Sequence, residues 1–420
     1  MIKKVFLLGV FIFIFAGQSL FAQSDAFLDN LIRQAIVDNL QVKRLRKQWE
    51  SRKARVLSAK TLPQPSIGFT HYGESIQTKT GPMKKKYTIQ QPIPFPTKLS
   101  LKGKIAKKEA GMAYARYILG VRGVIEELKS YFYDYYFIRQ SINVLREEKL
   151  ILENVHKSVQ RKYETLKAAQ QDFVKIDLEI SKIDDKILNL GRQENLIGAQ
   201  INRIIDQPQG EEIAVLLGYK LNIKYLKISK GALLEMALKE SPHILLDKLG
   251  LERQSHKLSL AKQGYIPDFS IMAEYIDIGE GTTNLSNDGE NAWMIGVSVR
   301  VPLWFWKIRS DVKSAKLKRD AEEYKFQDKR SFLSFKIEDL FFQLTTQEQL
   351  IDLYGNVILP QAEHNFSASR TAYEDGSVDF LNWLDSERNL IAIKIAKLKQ
   401  EVDYKKIIAQ IEYIVGEDLE

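Results

Sequence analysis

The sequence predicts a mainly helical protein that carries a small transmembrane β-sheet. Three observations lead to this prediction. Long runs rich in Lys, Glu, Leu, Ile, Gln and Ala, with few Gly and Pro, extend through the 420 residues and are typical of extended helices. The two halves of the chain repeat one plan. Four segments of about ten residues alternate apolar and polar side chains, as the strands of membrane barrels do.

The first 22 residues have the pattern of an export signal. Lys3 and Lys4 precede an apolar stretch over residues 5–16, and small or polar residues lead to Ala22, after which we expect cleavage. A membrane anchor is the alternative, although the stretch is short for a span. The chain has no cysteine, so we expect no disulfide, no thiolate metal site and no lipid anchor on Cys.

Self-comparison shows the repeat. Pro63 aligns with Pro267 at an offset of 204, and PIPFP (92–96) aligns with PLWFW (302–306) at an offset of 210. The second strand loop, GEGTTNLSNDGEN (279–291), is therefore six residues longer than the first. Beyond it the offset of 210 persists through Tyr163 and Tyr373. A register kept over that length indicates two copies of one structural unit.

The repeat fixes the predicted organisation. We predict an export signal (1–22), a first repeat (23–205) with strands at about 65–76 and 85–94 and a helical tip at 166–171, an equatorial link (206–229), and a second repeat (230–420) with strands at about 268–279 and 291–303 and a tip at 376–381.

The helices carry heptads. The apolar positions before the first tip are Ile138, Leu145, Leu152, Val159 and Leu166, and those after it are Ile176, Ile183, Leu190, Ile197 and Ile204. A seven-residue period predicts left-handed supercoiling, and the alternative is ordinary amphipathic helices in a globular core. No proline interrupts residues 97–164, which permits a rod of roughly 100 Å at ~1.5 Å per residue.

The fourth strand shows the alternation most clearly. The side chains predicted to face lipid are Trp293, Ile295, Val297, Val299 and Val301, and those predicted on the other face are Met294, Gly296, Ser298 and Arg300. Since about eight strands are the minimum for a membrane barrel, four strands require association between chains. A soluble sheet packed on helices is the alternative.

The chain resembles the outer membrane efflux protein family, the TolC-like ducts, along its length after the export signal. The resemblance rests on the twofold repeat, the strand ends Pro-Ile-Pro-Phe-Pro and Pro-Leu-Trp-Phe-Trp, the tip Tyr373-x-x-Gly376 followed by Phe380 and Leu384-Asp385, and the terminal Val415-Gly416.

The resemblance implies a homotrimer with a 12-stranded barrel in the outer membrane and a barrel of helical columns that crosses the periplasm. It implies an exit duct for small molecules or metal cations. Its partners would be a periplasmic adaptor protein and an inner-membrane pump, for example of the resistance-nodulation-division type. An outer-membrane channel for one-step protein secretion and a periplasmic coiled-coil adaptor are the alternatives.

The resemblance also implies a gate at the periplasmic tips, where acidic residues ring the constricted end. The gate candidates are Asp385, Asp172, Asn382 (in place of an expected aspartate) and Asp375, and the tip and adaptor-contact candidates are Tyr163, Leu166, Tyr373, Gly376, Val378 and Leu384. Helix capping is the alternative role for Asp172, Asn382 and Asp385, as it is for Asp379. Gly376 suits a turn that needs φ > 0, which Leu166 cannot adopt as freely.

The sequence gives no sign of catalysis. The five histidines are scattered without metal-ligand spacing, and no nucleophile or phosphate-loop motif is present. We therefore predict no enzyme, no cofactor and no metal site. The net charge of +9 is spread along helices and mixed with acids, which favours solvated helix faces over nucleic-acid binding.

Overall fold

A computed structural model describes residues 23–164, 170–211, 219, 221–239, 241–281 and 286–419. The predicted export signal (1–22) and Leu166 in the first tip lie outside the described residues. Part of the equatorial link (212–218 and 220) also lies outside them.

Within these ranges the chain is mainly helical, with one four-stranded sheet. The helices are α1 (Gln23–Asp38), α2 (Leu40–Lys60), α3 (Pro96–Glu164), α4 (Gln170–Ile204), α5 (Lys230–Lys239), α6 (Pro242–Lys262), α7 (Phe305–Leu353), α8 (Leu359–Glu374) and α9 (Phe380–Val415), and the strands are β1 (Ser66–Thr78), β2 (Gly81–Ile93), β3 (Asp268–Ile278) and β4 (Ala292–Arg300). The predicted fold class, long helices plus four strands, is confirmed. β2 begins four residues earlier than predicted, and β4 ends at Arg300, so Val301 lies beyond the strand.

The two halves follow the same order of elements but differ in one long helix. α3 runs unbroken for 69 residues, as the lack of proline predicts. Its counterpart is interrupted between α7 and α8 by a π-helical turn, Tyr354–Ile358. Pro360 follows directly at the start of α8. Because proline has no N–H and its ring crowds the preceding turn, the wider π turn accommodates it.

A buried cap ties each repeat together at the same place. Asn39 accepts hydrogen bonds from the first N–H groups of α2 and donates through Nδ2 to the carbonyl of Ile204, at the end of α4, at 2.8 Å. Ser241 caps α6 and donates through Oγ to the carbonyl of Ile414, at the end of α9, at 2.7 Å. Two different residue types therefore serve one structural role.

The strands form one antiparallel sheet in the order β1-β2-β3-β4. Its register places four aromatic side chains in a single row across all four strands: Phe69, Tyr87, Tyr275 and Trp293. The next row on the same face is Ile67, Ile89, Ala273 and Ile295. One face of the sheet is thus apolar across its full width.

The opposite face is polar and internally paired. Lys86 forms an ion pair with Glu274 at 2.8 Å. Gln90 donates to Ser270 at 3.2 Å, and the hydroxyl groups of Ser270 and Ser298 lie 2.6 Å apart. The strands therefore separate apolar from polar side chains in the way that the sequence alternation predicts.

The apolar face of the sheet is uncovered. Trp293, Ile295 and Val297 are 73%, 69% and 68% exposed. A second group of exposed aromatic side chains, Trp304, Phe305 and Trp306, follows the end of β4. Exposed apolar patches of this extent mark surfaces that meet another molecule or a lipid phase.

The hydrophobic core is divided among the helices. One cluster joins α1, α2, α3 and α4, a second joins α5, α6, α7 and α9, and a third lies near the helical tips. Two hydrogen bonds hold the link against the helices. The N–H of Leu221 donates to the hydroxyl of Tyr136 at 3.3 Å, and the N–H of Leu226 donates to the hydroxyl of Tyr404 at 2.8 Å. In the part of the chain that the structure describes, no helix is both long and apolar enough for a membrane span.

The paired caps generate a stability prediction. Asn39→Ala and Ser241→Ala should each lower the free energy of unfolding by about 2 kcal/mol, since each removes an N-cap and leaves a buried carbonyl unpaired. The exposed helical Asn189→Ala is the control and should change it by less than about 0.5 kcal/mol. Urea denaturation followed by far-ultraviolet circular dichroism measures the difference. Equal effects at Asn39 and Asn189 would contradict the assigned role.

Candidate functional site at the helical tips

The second tip is a tight turn between α8 and α9. Gly376 has φ +78°, as predicted for this reversal. The N–H groups of Gly376 and Ser377 donate to the carbonyls of Tyr373 and Ala372 at 3.1 and 2.8 Å. Asp379 then caps α9 by accepting a hydrogen bond from the N–H of Asn382 at 3.0 Å. Local backbone chemistry therefore fixes the shape of this tip.

The four gate candidates occupy different environments. Asp385 is 65% exposed on α9, and Asn382 and Asp375 are also exposed. Asp375 is the C-terminal cap residue of α8. Asp172 is half-buried in the first turn of α4, where its carboxylate complements the helix dipole. Asp172 thus lies at a helix start, whereas Asp385 lies exposed beside Arg388.

The structure brings the tip of the second repeat against the start of α4. Burial raises the pKa of the Tyr373 hydroxyl, and the negative charge of Asp172 raises it further. Asp172 belongs to the first repeat and Tyr373 to the second. The start of α4 and the end of α8 are therefore close enough for the charge of Asp172 to act on Tyr373.

The adaptor-contact candidates divide into surface and core. Tyr163 and Gly376 are exposed, and Tyr373 and Val378 are half-buried. Leu384 is 1% exposed, so it has no surface to offer a partner. The prediction that Leu384 contacts an adaptor is therefore corrected. Its side chain packs with Phe380 and Trp383 in the core between the hairpins.

An aromatic cluster that sequence reasoning missed lies behind the tip. Trp383 stacks on Tyr373 with ring centroids 5.9 Å apart and lies 5.5 Å from Phe380. These rings pack with apolar side chains of α3 and α4, namely Leu145, Leu152, Val159, Ile176 and Ile183. The predicted heptad positions therefore form one core that joins both hairpins. The sequence signal that could have indicated this cluster is Trp383, two residues after the predicted tip.

An ion-pair network crosses the same seam. Arg388 of α9 binds Glu179 of α4 and also donates to Asp385 at 3.1 Å. Burial alone would raise the pKa of Glu179, but the hydrogen bonds and charges of Arg388 and Lys182 outweigh it and hold that pKa below its usual range. Asp385 is therefore the exposed end of a network that links the two repeats.

A comparison with known families identifies the second half of the chain. Residues 233–417, which include α9 and the second tip, match the family model described as outer membrane efflux protein. This part of the chain, 185 of its 420 residues, is therefore similar to the outer membrane efflux protein family. Asp172 and Tyr163 lie in the first repeat, outside the matched residues, and are related to it through the internal repeat.

One curated protein similar to part of this chain carries a name that states a function. The chain is 23% identical over 166 residues to the cobalt-zinc-cadmium resistance protein CzcC of Cupriavidus metallidurans. The match covers 40% of this chain and 38% of that protein. It therefore relates parts of the two proteins and leaves more than half of each outside the alignment.

Solved structures of outer-membrane proteins share the whole fold. The outer membrane protein VceC of Vibrio cholerae superposes with a TM-score of 0.79 at 14% identity, covering 95% of this chain and 98% of that chain. The CmeC outer membrane channel of Campylobacter jejuni gives 0.77 at 14% identity, covering 95% and 88%. These two proteins therefore share the fold of this chain, with four strands joined to long helices.

The tip turn generates a matched pair of glycine predictions. Gly376→Ala should lower the free energy of unfolding by about 1 kcal/mol, because the positive φ is unfavourable for a side chain although the space around Gly376 is open. Gly191→Ala lies in the α4 interior, also with open space, and should raise it by about 0.5–1 kcal/mol. Urea denaturation of both variants tests the signs. Stabilisation by Gly376→Ala would contradict the tip conformation.

Proposed function

We propose that this protein is the outer-membrane exit duct of a tripartite efflux system. In this function it passively conducts small molecules or metal cations from an inner-membrane pump and a periplasmic adaptor to the cell exterior. The observation that carries the proposal is the four-stranded sheet, whose apolar face is uncovered and whose two edge strands have no partner among the described residues.

The apolar face matches a lipid environment. The strands contain 9–13 residues, and a tilted strand needs about 9–11 residues to cross the hydrocarbon core. The row that contains Tyr87 and Trp293, together with Trp304 and Trp306 beyond the other end of β4, places aromatic side chains where both membrane interfaces would lie. Outer-membrane barrels carry such aromatic girdles at both interfaces.

The free edges require neighbouring copies. Within lipid every backbone N–H and carbonyl needs a protein partner, because there is no water to supply one. In the described part of the chain, β1 pairs with β2 alone and β4 pairs with β3 alone. Joining β4 of one copy to β1 of the next satisfies both edges. Three copies would close a ring of 3 × 4 = 12 strands and place the polar face in the lumen.

The helices supply the length of the duct. The 69 residues of α3 extend over roughly 100 Å at ~1.5 Å per residue. α2 and α7 expose large apolar side chains, among them Leu57, Leu317, Tyr324 and Phe335. These surfaces lie on the two helices that flank the α3 and α6 pair, where adjacent copies of a trimer would meet. We therefore place the helices in the periplasm and the strands in the outer membrane of a Gram-negative-type cell.

The proposed partners and cargo rest on the similarity of residues 233–417 to the outer membrane efflux protein family. Its members are channels, so we assign this chain conduction and no catalytic reaction. An adaptor would bind the tips around Tyr163 and Gly376, and a pump, in our proposal of the resistance-nodulation-division type, would supply the energy. The name of CzcC refers to resistance to cobalt, zinc and cadmium. This name supports metal cations as one class of cargo.

The lipid-facing assignment has a matched test on neighbouring residues of β4. Val297→Lys should abolish most trimer insertion, because a lysine in the middle of the lipid face costs about 2–4 kcal/mol in each copy. Ser298→Lys, on the polar face, should insert normally. The measurement is the amount of heat-modifiable trimer in the outer-membrane fraction. Equal insertion of both variants would overturn the assignment of the two faces.

The gate candidate Asp385 has an electrical test. Asp385→Ala should weaken divalent-cation block by about tenfold, since three carboxylates around the axis would no longer attract cations. Glu363→Gln, an exposed charge on α8 away from the tip, is the control and should behave like the wild type. Single-channel recordings in planar bilayers measure the block. Unchanged conductance and unchanged block in Asp385→Ala would remove this residue from the gate.

A further inference from the structure

Two buried carboxyl groups face each other across the seam between the hairpins. Glu387 of α9 is 1% exposed, and apart from the carboxyl of Glu148 its carboxylate oxygens have no hydrogen-bond partner. Glu148 of α3 is 6% exposed, and its Oε1 also has none. A buried carboxyl without a donor is costly, so such a group needs a physical explanation.

Both carboxyls line a cavity of about 400 Å³ between α3, α4 and α9. The apolar part of its wall includes Leu145, Leu152, Ile183, Leu190, Leu384 and Ile391. Pockets that bind small molecules are about 300–1,000 Å³ in volume, mostly apolar, with a few polar groups. The size and the lining of this cavity therefore fit a small amphipathic molecule.

The charged groups around the cavity leave the carboxyl pair without a committed cation. Arg388 is held by Glu179 and Asp385. Asp185 and Lys186 lie on the α4 wall, and the charge of Lys394 on α9 acts on Glu148 from a distance. The site thus retains an excess of negative charge in an apolar surrounding.

When the cavity is unliganded, a proton on Glu387 reduces the negative charge of the carboxyl pair. Burial raises the pKa of Glu387, and the adjacent Glu148 raises it further, to about 10. Burial also raises the pKa of Glu148. At neutral pH Glu387 therefore keeps its proton, and the cavity accommodates one positive charge between two carboxyls.

We propose that this cavity binds a small organic cation, an ammonium group on an apolar body, whose charge replaces the proton of Glu387. On binding, the Glu387 O–H proton is released to solvent, and the ammonium donates to the carboxylates of Glu387 and Glu148. A divalent metal fits less well, because Ca²⁺ or Mg²⁺ needs about six oxygen ligands. Among the described residues, no three His, Asp or Glu side chains are grouped to hold a metal ion.

The test uses 1-adamantylammonium as the probe and 1-adamantanol as its neutral analogue. Isothermal titration calorimetry with the detergent-solubilised full chain should show the ammonium binding at least about tenfold more tightly than the alcohol at pH 8. Its affinity should rise about tenfold per pH unit between pH 6 and 8, because one proton leaves for each cation bound. Titrations in buffers of different ionisation enthalpy count that proton.

Three variants separate the site from general effects. Glu387→Gln and Glu148→Gln should each weaken ammonium binding by at least about tenfold, and the exposed neighbour Glu147→Gln should not. Because the folded-state pKa of Glu387 lies above its value in the unfolded chain, wild-type stability falls as pH rises between the two values. Glu387→Gln should therefore melt at a higher temperature than the wild type at pH 8, which shows that any loss of binding is not loss of folding.

Several results would overturn the proposal. These are no measurable binding, equal affinity for the ammonium and the alcohol, no proton release, or full affinity in Glu387→Gln. The assay requires neither a bilayer nor a pump, so its failure would leave the proposed duct function unaffected. Failure of membrane insertion or conductance would likewise leave the cavity measurement intact.

Discussion

The structure depends on the constraint that a backbone in lipid must satisfy its own hydrogen bonds. A single sheet of four strands has two edges with unpaired N–H and carbonyl groups, and its apolar face has no protein cover. Among the described residues, no helix packs on the sheet to pair these edges or cover this face. In the proposed duct, the sheet therefore requires copies to associate, and the long helices determine how far the resulting wall continues below the membrane.

The internal repeat provides two hairpins, and the helix packing differs in character along the rods. Near the link, buried caps at Asn39 and Ser241 join helices within each repeat. Near the tips, the hairpins meet through aromatic rings, the Arg388–Glu179 pair and a cavity lined by two carboxyls. Because ionisable groups and an incompletely filled space respond to pH and ligands, the tip end is the end whose packing can be altered.

Much of the architecture is readable from the sequence, because it depends on local periodicity. Alternation of period two identified the strands, heptads identified the helical seams, and the demand for positive φ identified the turn at Gly376. The π-helical turn before Pro360 and the inward orientation of Leu384 were not predictable. Both depend on how one helix packs against another. The spacing of residues along the sequence does not determine that packing.

The buried carboxyl pair shows the same limit more sharply. Glu148 and Glu387 lie 387 − 148 = 239 positions apart, and each follows ordinary polar and apolar neighbours on a long helix. Nothing in either segment marks it as special. Likewise, Asn39 and Ser241 differ in residue type, so comparison of the two halves does not align them although they cap equivalent helices. Long-range packing creates both features.

The central claim, that strand edges of different copies pair, is most directly tested by covalent cross-linking. The chain has no native cysteine, so Ser298→Cys on β4 can be combined with each of Ser66→Cys, Gly68→Cys and Thr70→Cys on β1 without background. Oxidation of the membrane-inserted protein should yield, for at least one pair, covalent species that end at three chains on denaturing gels. Uncross-linked single chains for every pair, with both cysteines accessible to a thiol reagent, would contradict the account.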